Sequence, residues 1–324
     1  MPLEPGQSFD RYTVESLVGQ GGWGQVFRAL DGRLHRRVAL KVLRSDRAAD
    51  APRFLREARA VAALSHPNVV SVFDVGEAEG RVFIAMELLE GRLLSTFVGN
   101  PSVSLSQKVH WLLDVARALA AAHRAGLVHR DVKPQNVIVP DHGPLKVLDF
   151  GLAKRTAAPA STPITDDTLS SVSHHTAVGK VVGTPRYMAP EQLAGAPLDG
   201  RVDQFAWGLM AFELLSGNLP GDPAKAPLLS EVIPGFPFEL AVAFAKTIAQ
   251  RRDDRFATMD DVIAAVEGSP LDALPAPLAP SVDPQAPTAA PADIPKAPSK
   301  APSKVPSTEP APHQPTTEPL LVAA

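Results

Sequence analysis

The spacing of hydrophobic residues predicts strands along the first part of the chain. Short runs rich in β-branched and aromatic residues alternate with turn residues, and this is typical of a sheet. One stretch with helical spacing, Pro52–Leu64, interrupts the runs. The predicted strands are Tyr12–Leu17, Gln25–Leu30, Arg37–Leu43, Val69–Val75 and Arg81–Glu87.

Near residue 90 the spacing lengthens to three or four residues. Apolar residues recur on one helical face from Leu105 to His123. Later helices are predicted at Asp203–Ser216, Phe238–Gln250 and Thr258–Glu267. The pattern therefore predicts an α+β fold in which a small sheet-rich lobe precedes a larger, mainly helical one.

The composition changes sharply near Gly268. Fifteen of the 33 prolines follow it, and no aromatic residue lies beyond Phe256. Such a segment cannot bury enough apolar surface to offset its ordering entropy, so residues 269–324 are predicted to be a disordered, extended tail. Its Lys-x-Pro-Ser repeat, Lys296–Ser307, fits a simple spacer or, less well, a docking site for a proline-recognising partner.

Charge and cysteine content exclude several classes of protein. The net charge is −3, which does not favour bulk binding of nucleic acid or anionic membranes. The chain has no cysteine, so disulfides and thiolate metal sites are excluded. Neither a signal peptide nor an apolar run of membrane-spanning length is evident. These features predict a soluble, cytoplasmic protein.

A glycine-rich segment lies between the first two predicted strands. It reads G-x-G-x-x-G-x-V from Gly19 to Val26, and its glycines allow the backbone to approach phosphate oxygens. A dinucleotide-binding turn would need a helix next, whereas a strand follows here. An ordinary glycine-rich hairpin remains an alternative. The candidate nucleotide-binding residues are Val18, Gly19, Gln20, Gly21, Gly22, Trp23, Gly24, Gln25 and Val26.

Lys41 ends the apolar run Val38-Ala-Leu-Lys41 and is expected to point inward. An unpaired buried ammonium is costly, so Lys41 needs an anion. We predict Glu57, on the following helix, as its partner, and Lys41 as a bridge to nucleotide phosphate. A surface lysine and a solvated glutamate are the alternatives.

Two further motifs complete a recognisable set. His129-Arg130-Asp131 is followed by Asn136 at the fifth position after Asp131, and Asp149-Phe150-Gly151 begins eighteen residues after Asp131. With the glycine-rich segment and Lys41, this order resembles the eukaryotic-type (Hanks-type) serine/threonine protein kinase family. The resemblance implies an N-terminal extension (1–11), a catalytic domain (12–268, with lobes at about 12–87 and 90–268) and the tail.

The resemblance implies roles for the central residues. Asp131 resembles the base that accepts the proton of the substrate hydroxyl, and Lys133 resembles the lysine that steadies the γ-phosphate in serine/threonine kinases. Asn136 and Asp149 would be the oxygen ligands of Mg²⁺, with Mn²⁺ as an alternative. ATP and protein substrates are implied.

The same resemblance places the adenine ring. Val26 and Ala39 would enclose it, and the strand ending in Met86 and Glu87 would lead to a hinge that includes Leu89. Met86 would be the gatekeeper at the back of the pocket.

Further implied roles concern structure and regulation. Glu191 would pair with Arg255, and Asp203 would anchor the catalytic loop from the helix beneath it. Phe150 with His129 and Val61 would couple the lobes, Gly151 would complete its motif, and Thr184 would lie near Asp131. Arg130 beside the base implies phosphorylation of the activation loop, with Thr176 as the preferred acceptor and Ser170, Ser171 and Ser173 as alternatives.

Two other functions compete with an active protein kinase. A catalytically dead kinase fold would act as a scaffold, although the chemical residues are all present. A small-molecule kinase would be expected to lack Gly183-Thr184-Pro and Ala189-Pro190-Glu191. One departure from the family is a shortened region after Gly217, which bears on peptide docking. The composition is similar to that of bacterial members.

Overall fold

The computed structural model describes residues 3–21, 24–44, 51–150, 185–271 and 274–275. Within these residues the chain forms a sheet-rich lobe followed by a helical lobe, as the hydrophobic pattern predicts. The α+β, two-lobed fold class is thereby confirmed. The predicted tail after Pro275 lies outside the described residues.

The first lobe is a six-stranded antiparallel sheet. One helix, α1 (Ala51–Ala62), accompanies it. All five predicted strands are confirmed, Arg81–Glu87 with its predicted ends and the other four with shifted ends. The strand Ser8–Phe9 was missed because it has only two residues. The strands are β1 (Ser8–Phe9), β2 (Tyr12–Gln20), β3 (Gly24–Asp31), β4 (Arg36–Leu43), β5 (Val72–Ala78) and β6 (Arg81–Glu87). Their order across the sheet is β1-β2-β3-β4-β6-β5.

Each face of this sheet has its own apolar cluster. On one face Phe9, Tyr12 and Phe83 pack edge to face, and Leu3 joins them from the predicted N-terminal extension. On the other face Val26, Ala39 and Met86 form a cluster with α1 residues. The sheet therefore buries both faces, and the second face is the one that meets the helical lobe.

A small antiparallel sheet connects the lobes. Its strands are β7 (Gly91–Leu93), β8 (Val137–Pro140) and β9 (Lys146–Val147). It was not predicted, because strands of two to four residues are too short for a hydrophobic period to show. β8 directly follows the segment 129–136, so this sheet fixes one end of the loop that carries the predicted base.

The second lobe is mainly helical. Its centre is the almost wholly buried helix α4 (Arg201–Ser216). Trp207 of this helix donates a hydrogen bond from Nε1 to the carbonyl of Leu112 at 2.9 Å. Ser104 caps α2 by accepting from the N–H of Gln107. The helices are α2 (Leu105–Arg124), α3 (Pro190–Leu193), α4 (Arg201–Ser216), α5 (Leu229–Val232), α6 (Phe238–Thr247) and α7 (Met259–Glu267).

The four predicted helices of this lobe are confirmed with small shifts at their ends. Between α4 and α6 the chain has only a 3₁₀ turn and the four-residue α5, in agreement with the predicted shortening after Gly217. Leu271 and Leu274, which follow the predicted boundary at Gly268, pack against the helical core. No helix in the described ranges combines the length and apolar character that a bilayer span requires.

A buried ion pair joins α3 to the segment between α6 and α7. Arg255 is fully buried at its side chain and binds both carboxylate oxygens of Glu191, at 2.6 and 2.9 Å. Its remaining donors reach the carbonyls of Ala249, Arg201 and Gln250. Every guanidinium edge is therefore satisfied, which a buried charge needs in order to be tolerated.

We expect Arg255→Met to destabilise the fold by about 3–5 kcal/mol, since it leaves the Glu191 carboxylate without its buried cation. Arg252→Met is the matched control, because Arg252 is partly exposed and its ion pairs are 3.7–3.8 Å long. That control should cost about 0–1 kcal/mol. Urea denaturation measures both changes, and equal losses of stability would contradict the prediction.

Candidate active site

The predicted base lies in a loop whose backbone is held by one buried carboxylate. Asp203, fully buried near the start of α4, accepts the backbone N–H of His129 at 2.7 Å and of Arg130 at 2.6 Å. The ring of His123, at the end of α2, provides a third contact at 2.8 Å. Three donors therefore compensate for the burial of this carboxylate.

These contacts hold a strained backbone. Arg130 has a φ of +65°, which is uncommon for a residue with a side chain. Its N–H is bound by Asp203 and its carbonyl accepts a hydrogen bond from the Gln192 side chain of α3 at 3.1 Å. A conformation of this kind costs on the order of 1–3 kcal/mol and persists only where surrounding bonds enforce it. This bend lies directly before Asp131.

Two polar side chains converge on Asp131. The ammonium of Lys133 lies 2.8 Å from its carboxylate. The amide nitrogen of Asn136 donates to the Asp131 carbonyl at 2.8 Å and to its carboxylate at 3.1 Å. Because the nitrogen of Asn136 is used in this way, its amide oxygen is left as an acceptor for another group. The structure thus brings Asp131, Lys133 and Asn136 together.

His129 and Phe150 link this loop to the segment that contains Asp149. Their ring centroids are 4.6 Å apart, and the His129 ring also contacts the carbonyl of Leu148 at 2.8 Å. The N–H of Leu148 donates to the Asn136 carbonyl at 2.9 Å. Phe150 shares its apolar cluster with Val61 of α1, so this contact reaches from one lobe to the other.

Lys41 contacts a different carboxylate from the one predicted. Its ammonium lies 2.6 Å from both oxygens of Asp149, whereas the sequence predicted Glu57 as the partner. Asp149 has a φ of +54°, a left-handed turn that the sequence does not reveal. Glu57 is half-buried on α1 and has an interaction of its own, so its role at the nucleotide stays a prediction.

The glycine-rich segment forms a hairpin between β2 and β3. Gly19 lies opposite Val26, and Gly21 donates to the carbonyl of Gly24 at 2.9 Å. A Cβ on Gly24 would collide with the carbonyl oxygen of Val42, so this position requires glycine. Val18 and Gln20 belong to β2, and Gln25 belongs to β3.

The register of the large sheet gathers the predicted adenine contacts. Val26 lies opposite Lys41, and Ala39 lies opposite Met86. Glu87 ends β6 and Leu89 follows it, partly buried. Val26, Ala39 and Met86 belong to one apolar cluster.

That cluster contains two residues that the sequence analysis missed. Ile138 of β8 and Leu148 before Asp149 join it from the helical lobe, and both are almost fully buried. Ile138 lies two residues after Asn136, and Leu148 lies one residue before Asp149. This closeness to predicted site residues was the sign of their role in the sequence, but β8 itself was not predicted.

The available oxygen atoms fit a hard divalent cation. Asn136 retains an amide oxygen and Asp149 carries a carboxylate, both suited to Mg²⁺. In the part of the chain that the structure describes, no group of three His, Asp or Glu side chains could hold a metal ion. A cation bound here would therefore take further oxygens from phosphates and water.

Some predicted residues lie outside the described part of the chain. These residues are Gly22, Trp23, Gly151, Ser170, Ser171, Ser173, Thr176 and Thr184. The described chain resumes beyond them, where Tyr187 donates a hydrogen bond to Glu213 of α4. Burial, together with this carboxylate, raises the pKa of Tyr187, so its hydroxyl stays protonated and keeps donating.

This combination of fold and site defines a class of protein. The sheet lobe carries a glycine-rich hairpin and a buried lysine, the helical lobe carries a carboxylate–amide loop, and the Lys41–Asp149 ion pair joins the two lobes. Such a cleft suits a two-lobed phosphotransferase that uses a nucleotide.

Comparisons with known proteins agree with this class. A family model for the protein kinase domain matches residues 12–234. The serine/threonine-protein kinase PknL of Mycobacterium tuberculosis (strain ATCC 25618 / H37Rv) is 38% identical over 294 residues, which cover 86% of this chain and 69% of PknL. PknA of M. tuberculosis (strain ATCC 25177 / H37Ra) is 39% identical, with 68% of this chain and 51% of PknA covered.

A solved structure is also similar. The crystal structure of the M. tuberculosis PknI kinase domain matches with a TM-score of 0.65 and 30% identity, and the match covers 83% of this chain and 99% of that chain. The chain belongs to the protein kinase family and is a bacterial serine/threonine kinase of the Hanks type.

We expect Asp203→Asn to lower kcat about 10- to 100-fold while the KM for ATP stays within about twofold. The two backbone N–H groups bind different oxygens of Asp203, and the amide replaces one of these oxygens with an NH₂ group. The loss of one charge-assisted bond costs about 1.5–3 kcal/mol, and tenfold in rate corresponds to about 1.4 kcal/mol. Steady-state kinetics measure this effect. Asp199→Asn is the control, since Asp199 is partly exposed and accepts from Arg201 nearby. A similar loss in the control would contradict the anchoring role.

Proposed function

We propose that this kinase transfers the γ-phosphate of ATP to serine or threonine hydroxyls of proteins, with Asp131 as the base. The observation that supports this most directly is the convergence of Lys133 and Asn136 on Asp131. These two neighbours donate hydrogen bonds to the Asp131 carboxylate and so fix its position. A base in phosphoryl transfer acts mainly by position, so this arrangement suits the task.

In the proposed step the substrate hydroxyl oxygen forms a bond to the γ-phosphorus. The bond from that phosphorus to the oxygen bridging to the β-phosphate breaks, and ADP leaves with the electron pair. The hydroxyl proton passes to the Asp131 carboxylate. The ammonium of Lys133, 2.8 Å from that carboxylate, is close enough to stabilise charge on the transferred group.

The proposed nucleotide site uses both lobes. Lys41 would bind phosphate oxygens, since its ammonium is almost fully buried and points to Asp149. The hairpin from Val18 to Val26 would supply backbone N–H donors over the phosphates. The adenine ring would lie in the apolar cluster of Val26, Ala39 and Met86, closed by Ile138 and Leu148.

Members of the family use ATP with a divalent metal ion, and for this chain we propose Mg²⁺, with Mn²⁺ as an alternative. Asn136 and Asp149 would hold it through their side-chain oxygens. Such an ion neutralises charge on the phosphates and polarises them when bound. We also propose a cytoplasmic location, in keeping with the absence of cysteine from the sequence.

We expect Asp131→Asn to reduce ³²P transfer from Mg-ATP to a protein substrate about 10²- to 10⁴-fold, the usual contribution of a positioned base. The amide cannot accept the hydroxyl proton. Asp141→Asn, at an exposed turn after β8, is the matched control and should retain activity. Incorporation by neither the native chain nor the control would support a scaffold instead, and labelling of a metabolite but of no protein would support a small-molecule kinase.

We further propose that the enzyme phosphorylates its own segment between Asp149 and Glu191. Arg130 adjoins the base, and a phosphate paired with an arginine at this position would order such a segment. Thr176 is the preferred acceptor, with Ser170, Ser171 and Ser173 as alternatives.

Mass spectrometry after incubation with Mg-ATP is expected to find phosphate on Ser or Thr within residues 156–176. Thr176→Ala should remove the main site, and Asp131→Asn should remove all of them. Phosphate confined to other parts of the chain would contradict the proposal while leaving the kinase activity established. A metal chelator in the reaction should abolish incorporation altogether.

A further inference from the structure

The helical lobe leaves an apolar surface exposed on α6. Phe238 is 65% exposed and Val242 is 43% exposed, and these two residues, which we call the α6 patch, lie one helical turn apart on one face. Val232, on the adjoining α5, is 44% exposed. Three of the seven exposed large hydrophobic side chains of the described residues therefore lie within eleven positions of one another.

The chain that precedes this surface contains little helix. Only the four-residue α5 and a 3₁₀ turn lie between α4 and α6. A longer helix in that interval would have material to cover α6. Exposed apolar side chains grouped in this way are typical of a surface that meets another segment.

The C-terminal part of the chain arrives beside this surface. After α7 ends at Glu267, Leu271 and Leu274 pack onto the helical core, and the N–H of Leu274 donates to the Leu271 carbonyl at 3.2 Å. The ring of Pro275 then lies next to Gly235, since a Cβ built on Gly235 would be 3.9 Å from the Pro275 Cβ. Gly235 precedes Phe238 by three residues.

At least 49 residues follow Pro275, and the first of them are apolar. They read Ala276-Pro-Leu278-Ala-Pro-Ser-Val282 and contain no charge. Three extended residues span about 9 Å, and Gly235 and Phe238 are at most about 11 Å apart along three virtual bonds. The seven residues 276–282 span about 22 Å when extended, so the segment is long enough to pass Gly235 and reach the α6 patch.

We infer that residues 276–282 of this chain dock on the α6 patch, with Leu278 against Phe238 and Val242. The covalent connection at Pro275 gives this segment a local concentration on the order of millimolar at the patch. A second copy or a separate partner, present at a lower concentration, would need a correspondingly higher affinity to compete. The segment that the fold already delivers to the patch is thus the favoured occupant.

A disulfide between introduced cysteines tests this inference without background, since the chain has no cysteine of its own. In Glu239→Cys/Ala279→Cys, which keeps Phe238, Val242 and Leu278 in place, we expect an intramolecular disulfide to form rapidly under mild oxidation. Docking brings the two positions within the 4.4–6.8 Å that a disulfide requires between Cα atoms. Non-reducing peptide mapping measures the rate of formation.

The control that separates docking from mere tethering is Phe238→Ser in the same double-cysteine chain. Phe238 is largely exposed, so its loss leaves the fold intact while removing the apolar surface. Docking predicts that the rate falls about tenfold, as expected for the loss of a buried aromatic contact. A rate that does not change with Phe238→Ser would overturn the inference.

A second readout distinguishes other occupants. Disulfide-linked dimers whose yield rises with protein concentration would assign the patch to a second copy of the chain and overturn the inference. Formation of the disulfide at a rate independent of protein concentration, together with slower formation in Phe238→Ser, would support the inference. Neither readout depends on phosphoryl transfer, so the proposed function stands or falls separately.

Discussion

The active site depends on a single buried carboxylate at the start of α4. Asp203 is fully buried and accepts two backbone N–H groups of the loop that leads to Asp131. It holds Arg130 at a positive φ that would otherwise relax, and the relaxed loop would aim Asp131 elsewhere. The most buried helix of the protein thereby sets the direction of a side chain at the surface of the cleft.

The same loop is held from a second direction by residues that belong to the stability of the lobe. Gln192 of α3 binds the carbonyl of Arg130, and the neighbouring Glu191 is fixed by Arg255. Arg255 in turn binds the carbonyl of Arg201, at the first residue of α4. Stability and placement are therefore linked, and a substitution at Arg255 acts on the cleft through the position of α3.

The cleft itself belongs to neither lobe alone. Lys41 comes from the sheet and Asp149 from the helical lobe, so their ion pair joins the two lobes. The apolar side of the cleft is shared in the same way, since Ile138 and Leu148 complete a cluster formed by Val26, Ala39 and Met86. Phe150 adds a contact between His129 and the cluster that includes Val61. Nucleotide binding in such a cleft is sensitive to the relative position of the lobes.

The sequence by itself determined the large elements and indicated the candidate chemical residues. Strands and helices of five residues or more show their period locally, and the motifs around Gly19, Asp131 and Asp149 show themselves by order and spacing. Elements of two to four residues, such as β1, β8 and α5, carry no readable period, so Ile138 was missed as part of the cleft.

The tertiary structure decided which groups touch. The partner of Lys41 is Asp149 and not the predicted Glu57, because the choice depends on a left-handed turn at Asp149 that no local pattern encodes. The return of Leu274 and Pro275 to the turn before α6 likewise joins residues far apart in the chain. Local periodicity records only which face of an element is buried, whereas contacts between distant residues depend on how all the elements pack together.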